Sequence, residues 1–359
     1  MLGRKAALML GIFLIGIMAV ATPTAVAEDP IGTRDNTNSV TFSSGSLTGR
    51  FEGNVPHLTF YATNDIGRSA YQVNFRALIE FSVNSSGEGE YHGLQQVGRA
   101  DFDSATWTPS NFYPVKDTTG NVIGMGFNFT LSSPIQIEER SGPPASLNTG
   151  DVVLRVLAYN STKTIQVNGQ SVTINAAEMK IDFILTNWPF VSTNDKVALQ
   201  VNLHSDFNHF DLNVANGTES VDATHDETAQ VVEHTFQETS SVDQEVRFSS
   251  GVVTTSRNIG FFRFVDTATV TPSGGQAYSI PVTASYKSEK DGGESFFKLY
   301  LAYPYFPMGA TLVHDPSVGL AGGFPTLFAI AGGTAVAGLV AVVVIRHRRL
   351  DVQKESVHN

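Results

Sequence analysis

Between Glu28 and Pro316, apolar residues recur at every second position and not at every third and fourth. That period selects extended strands, whose successive side chains point to opposite faces, over amphipathic helices. In Tyr71–Val83, the residues Val73, Phe75, Ala77, Ile79, Phe81 and Val83 fall on one face. Gln72, Asn74, Arg76, Glu80 and Ser82 fall on the other. The pattern predicts a long strand with one wet face, as in an antiparallel sheet. Met179, Ile181, Phe183 and Leu185 repeat it, as do Val197, Leu199, Val201 and Leu203, and again Phe297, Leu299, Leu301 and Tyr303. Val152–Tyr159 is apolar on both faces apart from Arg155, which predicts a strand inside a sheet. The expected fold class is all-β, a large two-sheet antiparallel β-sandwich or supersandwich.

One hairpin can be put in register from sequence. Thr164–Val167 and Gln170–Ile174 flank Asn168-Gly169. Asn-Gly favours a two-residue turn in which both positions have positive φ. Val167 then faces Gln170, and Ile165 faces Val172. No fixed-period repeat or long linker divides the chain, and the loosest stretches, 85–91, 141–150 and 215–230, read as loops. One sandwich of roughly 290 residues buries about three quarters of its unfolded surface, enough to dispense with disulfides. Two tandem immunoglobulin-like domains meeting near 140–150 are the alternative.

The two ends carry a different signal. Arg4 and Lys5 precede an uncharged apolar run, and Ala25-Val26-Ala27 gives a small-x-small pattern, so residues 1–27 read as a signal peptide. Val318–Ile345 carries no charge and is followed by Arg346, His347, Arg348 and Arg349. A transmembrane helix is expected over 320–345, with residues 346–359 as a cytoplasmic tail. The ectodomain is then 28–316, in a type I single-pass cell-membrane protein. The net charge of −11 becomes more acidic once these basic ends are set aside. Such a surface lacks the basic face that nucleic acid needs. With no cysteine, thiol chemistry, Cys-based zinc sites and iron–sulfur clusters are excluded.

Chemistry is harder to find. No nucleophile elbow, zinc helix, P-loop or dinucleotide fingerprint occurs, and no catalytic residue, metal or cofactor is expected. The densest polar group is His204, Asp206, His209 and Asp211, to which His225 and His234 are candidates for addition. The apolar phase switches there from odd to even positions, which reads as a solvated turn. Asp101/Asp103 and Glu88/Glu90 are paired carboxylates in loop-like stretches. Four glycosylation sequons begin at Asn84, Asn128, Asn160 and Asn216, each expected at a strand end or loop. Trp188 before Pro189 is expected to plug the sandwich where a strand leaves it. Asp315-Pro316 is expected to start the turn into the membrane stalk.

Three segments resemble a known family: Lys180–Phe190 with its Asn-Trp-Pro-Phe ending, Gly260–Val270, and Tyr303–Pro307 with His314–Leu320. Their order and their place before the apolar run are similar to the supersandwich domain of ComC-type cell-surface proteins of social amoebae. The resemblance implies a β-supersandwich on a type I surface protein, used for contact or recognition of an extracellular protein or glycan, and no catalytic residues. Family members usually carry cysteine-rich modules in front, which this chain lacks. An envelope or surface-layer subunit and a carbohydrate-active enzyme are the competing expectations.

Overall fold

A computed structural model describes residues 31–34, 39–44, 47–52, 55–63, 70–83, 95–167, 170–175, 177–205, 209–214, 217–222, 234–235, 243–249, 259–291 and 294–321. The expected signal peptide, most of the expected membrane helix and the expected tail lie outside these residues. Among them the structure is β throughout, with no α-helix and one 3-10 turn at Phe102–Ser104.

Strands are numbered along the chain. One sheet runs β1 (Ile31–Arg34), β2 (Val40–Ser44), β3 (Leu47–Glu52), β4 (His57–Ala62), β5 (Tyr71–Phe81), β16 (Lys196–Ser205), β25 (Glu294–Pro304), β24 (Thr283–Asp291) and β19 (His234–Thr235), with β6 (Gln96–Asp101) also on β5. The other runs β18 (Gly217–Asp222), β17 (His209–Val214), β20 (Asp243–Ser249), β21 (Ile259–Val265), β27 (Ser317–Ala321), β15 (Glu178–Thr186), β12 (Val152–Tyr159), β9 (Val122–Leu131) and β7 (Trp107–Pro109). β8 (Tyr113–Lys116), β22 (Thr267–Thr271), β23 (Tyr278–Pro281) and β26 (Thr311–His314) flank this second sheet. β10 (Ile135–Gln136) pairs with β11 (Ser146–Leu147), and β13 (Lys163–Val167) with β14 (Gln170–Ile174). All these pairings are antiparallel.

Strands from before and after residues 140–150 share both sheets, so the chain does not divide there as the tandem alternative requires. One apolar cluster, from Val40 to Leu320, fills the space between the sheets. Rings interlock across it: Phe51 meets Phe127 edge-on at 5.2 Å, Phe60 meets Phe248 at 5.9 Å, and Phe183 stacks on Tyr303 at 6.1 Å. The alternating residues read from sequence in β15, β16 and β25 all join this cluster. The β13–β14 hairpin has the expected register, with Ile165 opposite Val172 and Val167 opposite Gln170. Its turn, Asn168-Gly169, lies outside the described residues.

Three expectations need correction. First, β5 does not keep one face. Gln200 pairs with Ala77 and Val201 with Phe75, so Arg76 is an extra, bulged residue. One inserted residue reverses the alternation beyond it. Val73, Phe75 and Leu78 face the main core, whereas Ala77, Ile79 and Phe81 pack with Ala198, Tyr300 and Ala302 on the opposite face. Glu80, expected in water, is turned inside and fully buried. Second, the sheet does not stop at residue 316. β27 lies between β15 and β21, with Val318 and Leu320 in the core. Gly319 and Leu320 are therefore strand residues, and Leu320 does not start a membrane helix. Third, Asp315-Pro316 joins β26 to β27 within the sheet and does not lead into a stalk. The Ile181 N–H donates to the Pro316 carbonyl at 2.7 Å and fastens this joint to β15.

Candidate functional site

Among the described residues, charged side chains cluster at two buried places. The first lies where β5 and β15 end. Thr186 pairs with Thr311, so the loops 187–195 and 305–310 share this end of the sandwich. The bulge at Arg76 aims Glu80 into it. One Glu80 oxygen accepts from the Val191 backbone N–H, and the other accepts from Trp188 Nε1 at 3.2 Å. Arg140 lies 3.5 Å away and also donates to the carbonyls of Pro143 and Pro189. Trp188 is fully buried, as the plug reading required, and Glu80 is its polar partner. Burial pushes the Glu80 carboxyl up to about 7, against the pull of the Val191 N–H and of Arg140, and Asp195 beside it adds to the rise. Burial also raises Asp195, so the two carboxyls hold a proton between them.

The backbone is strained at the same end. Glu139 and Asn187 have φ of 50° and 57°, and each precedes a residue that binds Glu80. Asp151 steadies Asn187 by accepting from its Nδ2 at 2.9 Å and from Thr186 Oγ1 at 3.1 Å. Four of the five exposed large apolar residues among those described, Val191, Tyr278, Tyr305 and Met308, sit on loops or strand ends here. Phe190 ties two of these loops together, 5.2 Å from both Tyr305 and Phe306.

The second place is the outer face of the second sheet. Alternation in β15 puts Met179, Ile181 and Phe183 in the core and Glu178, Lys180 and Asp182 on the other side. Those three are nevertheless buried. Lys180 Nζ donates to both Asp182 and Asp315, and Arg155 Nε donates to Asp182 at 2.6 Å from β12. Burial disfavours the Lys180 ammonium, but the two aspartates outweigh it and hold its pKa above the ordinary lysine value. Burial raises Asp182 despite Lys180, partly through a hydrogen bond with Asp315. For Asp315 burial is outweighed by Lys180 and by that hydrogen bond, so it titrates below its usual range. The two shifts run in opposite directions, so of this hydrogen-bonded pair Asp182 holds a proton more readily than Asp315. Further along this face, Glu178 accepts from Ser317 Oγ at 2.5 Å and Arg263 at 3.5 Å, and Arg263 reaches Glu245 at 3.0 Å.

Between the sheets, His314 is also fully buried. The Tyr303 hydroxyl lies 2.9 Å from Nδ1 and the Val265 carbonyl 2.8 Å from Nε2. A neutral ring protonated on Nε2 satisfies both, accepting from Tyr303 and donating to Val265. Burial pushes its pKa down to about 4.

The residues singled out from sequence are scattered. His204 lies on β16 in one sheet, whereas His209 and Asp211 lie on β17 in the other, paired with Ser249 and Arg247. The change of apolar phase is thus a crossing from sheet to sheet. Asp206 and His225 are outside the described residues, and His234 belongs to β19 at the far edge of the first sheet. Among the described residues no three His, Asp or Glu gather as metal ligands. Asp101 is bound by Arg99 at 2.7 Å, and Asp103 pairs with Arg76. Glu88, Glu90, Asn84 and Asn216 fall outside the described residues. Asn160 follows the end of β12, as expected for a sequon. Asn128 does not: it sits within β9, half-buried, accepting from the Tyr113 hydroxyl at 3.0 Å. Sequence reading missed Glu80, Lys180, Asp182 and His314 as buried groups. The available signal was a charge set in an otherwise apolar strand, and it reads equally as a wet face.

No family model matches the chain, and no curated protein matches it in sequence. Among solved structures it is similar to the alpha-N-acetylgalactosaminidase NagBb from Bifidobacterium bifidum in its GalNAc complex. The match has 9% identity and a TM-score of 0.34, over 77% of this chain and 35% of that one. This chain thus spans about a third of the enzyme's length, and a likeness at that score carries no argument.

Proposed function

We propose that the chain is a type I, single-pass surface protein whose β-sandwich ectodomain recognises or adheres to an extracellular protein or glycan. The observation that carries this reading is the direction in which the chain leaves the sandwich. β27 runs antiparallel to β15, with Gly319 beside Glu178, so it exits at the end of β15 opposite the loop 187–195. The uncharged run continues from there to Ile345 and meets the Arg-rich stop. Across the nine residues of β15 the two ends stand about 30 Å apart. An anchor at the exit end turns the loops with Tyr278, Tyr305 and Met308 away from the membrane, where a partner can reach them. The resemblance to supersandwich surface proteins agrees with this role. So does the engagement of the buried acids with internal partners, which suits a rigid scaffold.

The test has two parts. In cells expressing the full chain with a C-terminal tag, alkaline carbonate should leave the protein in the membrane. External protease should remove the ectodomain and leave the tag protected. Release by carbonate, or digestion of the tag from outside, contradicts the anchor. For recognition, the ectodomain should bind cells or immobilised glycans, and Tyr305→Ser with Met308→Ser should abolish binding without lowering Tm. Undiminished binding by that double variant would show that the loop end is not the contact surface.

A further inference from the structure

The Lys180 site has more than an ion pair requires. Lys180 is the only buried lysine among the residues whose side chains are described. Arginine serves a fixed ion pair better, through its planar fork of donors, and the neighbouring site on the same face uses Arg263 between Glu178 and Glu245. What lysine adds is a nucleophilic amine. Its Nζ contacts a carboxylate of Asp315 from a distant part of the chain, 135 positions away, and a second carboxyl, Asp182, touches both. Side-chain exposure is 7% for Lys180, 0% for Asp182 and 10% for Asp315, which keeps bulk water from competing. All three are held in place: Lys180 and Asp182 by the β12 and β27 ladders, and Asp315 by the Pro316 carbonyl bonded to the Ile181 N–H.

We propose that Lys180 and Asp315 are joined by an intramolecular amide bond that the folded domain forms on itself, with Asp182 carrying the proton. An ammonium and a carboxylate differ from an amide by one water. Asp182 gives its proton to Asp315 and takes one from the Lys180 ammonium, leaving a neutral amine beside a neutral acid. The nitrogen lone pair then attacks Cγ of Asp315. A C–N bond forms, a C–O bond breaks, and the oxygen departs as water with one proton from the acid and one from the amine. Asp182 ends protonated, as it began, and nothing is oxidised or reduced. Held in contact, the reacting groups avoid the entropy cost of a bimolecular step. The product removes two buried charges and leaves Asp182 opposite Arg155 alone. It would tie β15 to the β26–β27 joint, next to the point where the chain leaves the sandwich, in a protein with no disulfide.

Mass spectrometry of protease digests of the purified full chain decides the matter. The expected product is a branched peptide containing Lys180 and Asp315, lighter by one water than its two arms, with no tryptic cut after Lys180. Lys180→Arg keeps the charge but cannot condense, so its digest should contain only linear peptides. Asp182→Asn should retain Lys180 and Asp315 unlinked. Linear peptides from wild-type protein with an intact β spectrum overturn the proposal. Loss of water within a linear peptide joining Lys180 to Asp182 overturns the pairing. Undiminished linkage in Asp182→Asn overturns the proton-carrier role.

Discussion

Glu80 and Asp182 are both fully buried carboxyls that carry raised pKa values, yet their surroundings differ in kind. Glu80 is met by an indole N–H, a backbone N–H and a guanidinium, and it shares a proton with Asp195. None of those partners can react with it, and together they fix two loops. Asp182 is met by an ammonium and a guanidinium beside another carboxyl, so cations lie directly against the acids. The difference teaches that this sandwich uses buried acid in two ways. At the loop end a proton neutralises the carboxyl. On the outer face two cations lie against a hydrogen-bonded carboxyl pair, and that leaves reactive groups in contact.

The sharpest break in this comparison removes the last strand, which bounds the Asp182 site and not the Glu80 site. A chain ending at Asp315 loses β27 from between β15 and β21. Burial of Val318 and Leu320 alone is worth on the order of 3–6 kcal/mol. That chain should fail to fold, whereas one ending at Ala321 should give a β spectrum and a cooperative melt. Equal melts for the two would make β27 dispensable.

Next in size is Glu80→Ala, which strands Arg140 and the two N–H donors in the interior. The expected loss is about 3–5 kcal/mol, read as a lower urea midpoint. A change below about 1 kcal/mol would mean that these donors find water instead.

The pH dependence follows in magnitude. A raised folded pKa means that folded Glu80 binds a proton which the unfolded chain has released. Its contribution is therefore present below pH 4.5 and is lost as pH rises to about 7. His314 runs the other way: lowered from 6.5 to about 4, it contributes fully above 6.5 and loses that stability as pH falls toward 4. Each effect is on the order of 3 kcal/mol, so they largely offset each other across the shared range. Glu80→Gln should make stability rise with pH between 5 and 7, and His314→Gln should make it fall. Parallel slopes in the two variants would contradict the assignment.

The smallest effect is expected at Arg155→Ala. The Arg155 side chain is 40% exposed, and Asp182 keeps Lys180 as its partner. A loss of about 1 kcal/mol is expected from denaturant titration. A loss as large as that of Glu80→Ala would make Arg155 the principal counter-ion.

Much of the fold was legible because period 2 is a local property. The core faces of β15, β16 and β25 and the register of β13 with β14 follow from spacing and turn chemistry alone. Reading failed where one residue changed the phase. The bulge at Arg76 arises from pairing with β16, which lies over a hundred positions away, and it alone turns Glu80 inward. The end of the domain was misplaced for a related reason. A buried strand such as Val318–Leu320 and the start of a membrane span are both uncharged and apolar, so composition cannot separate them. The buried ion sites were hidden because Lys180 and Asp182 occupy the positions that a wet face would. Only the neighbouring strands and the β26–β27 joint, brought there by tertiary folding, close them off.

The central claim is that the two buried carboxyl sites differ in their partners, with Glu80 keeping its proton up to neutral pH. A pH titration of carboxyl 13C shifts in protein ending at Ala321 measures this directly. The account predicts one glutamate resonance with a midpoint near 7, absent from Glu80→Gln. Titration of every glutamate near the ordinary value of 4.5 would contradict it.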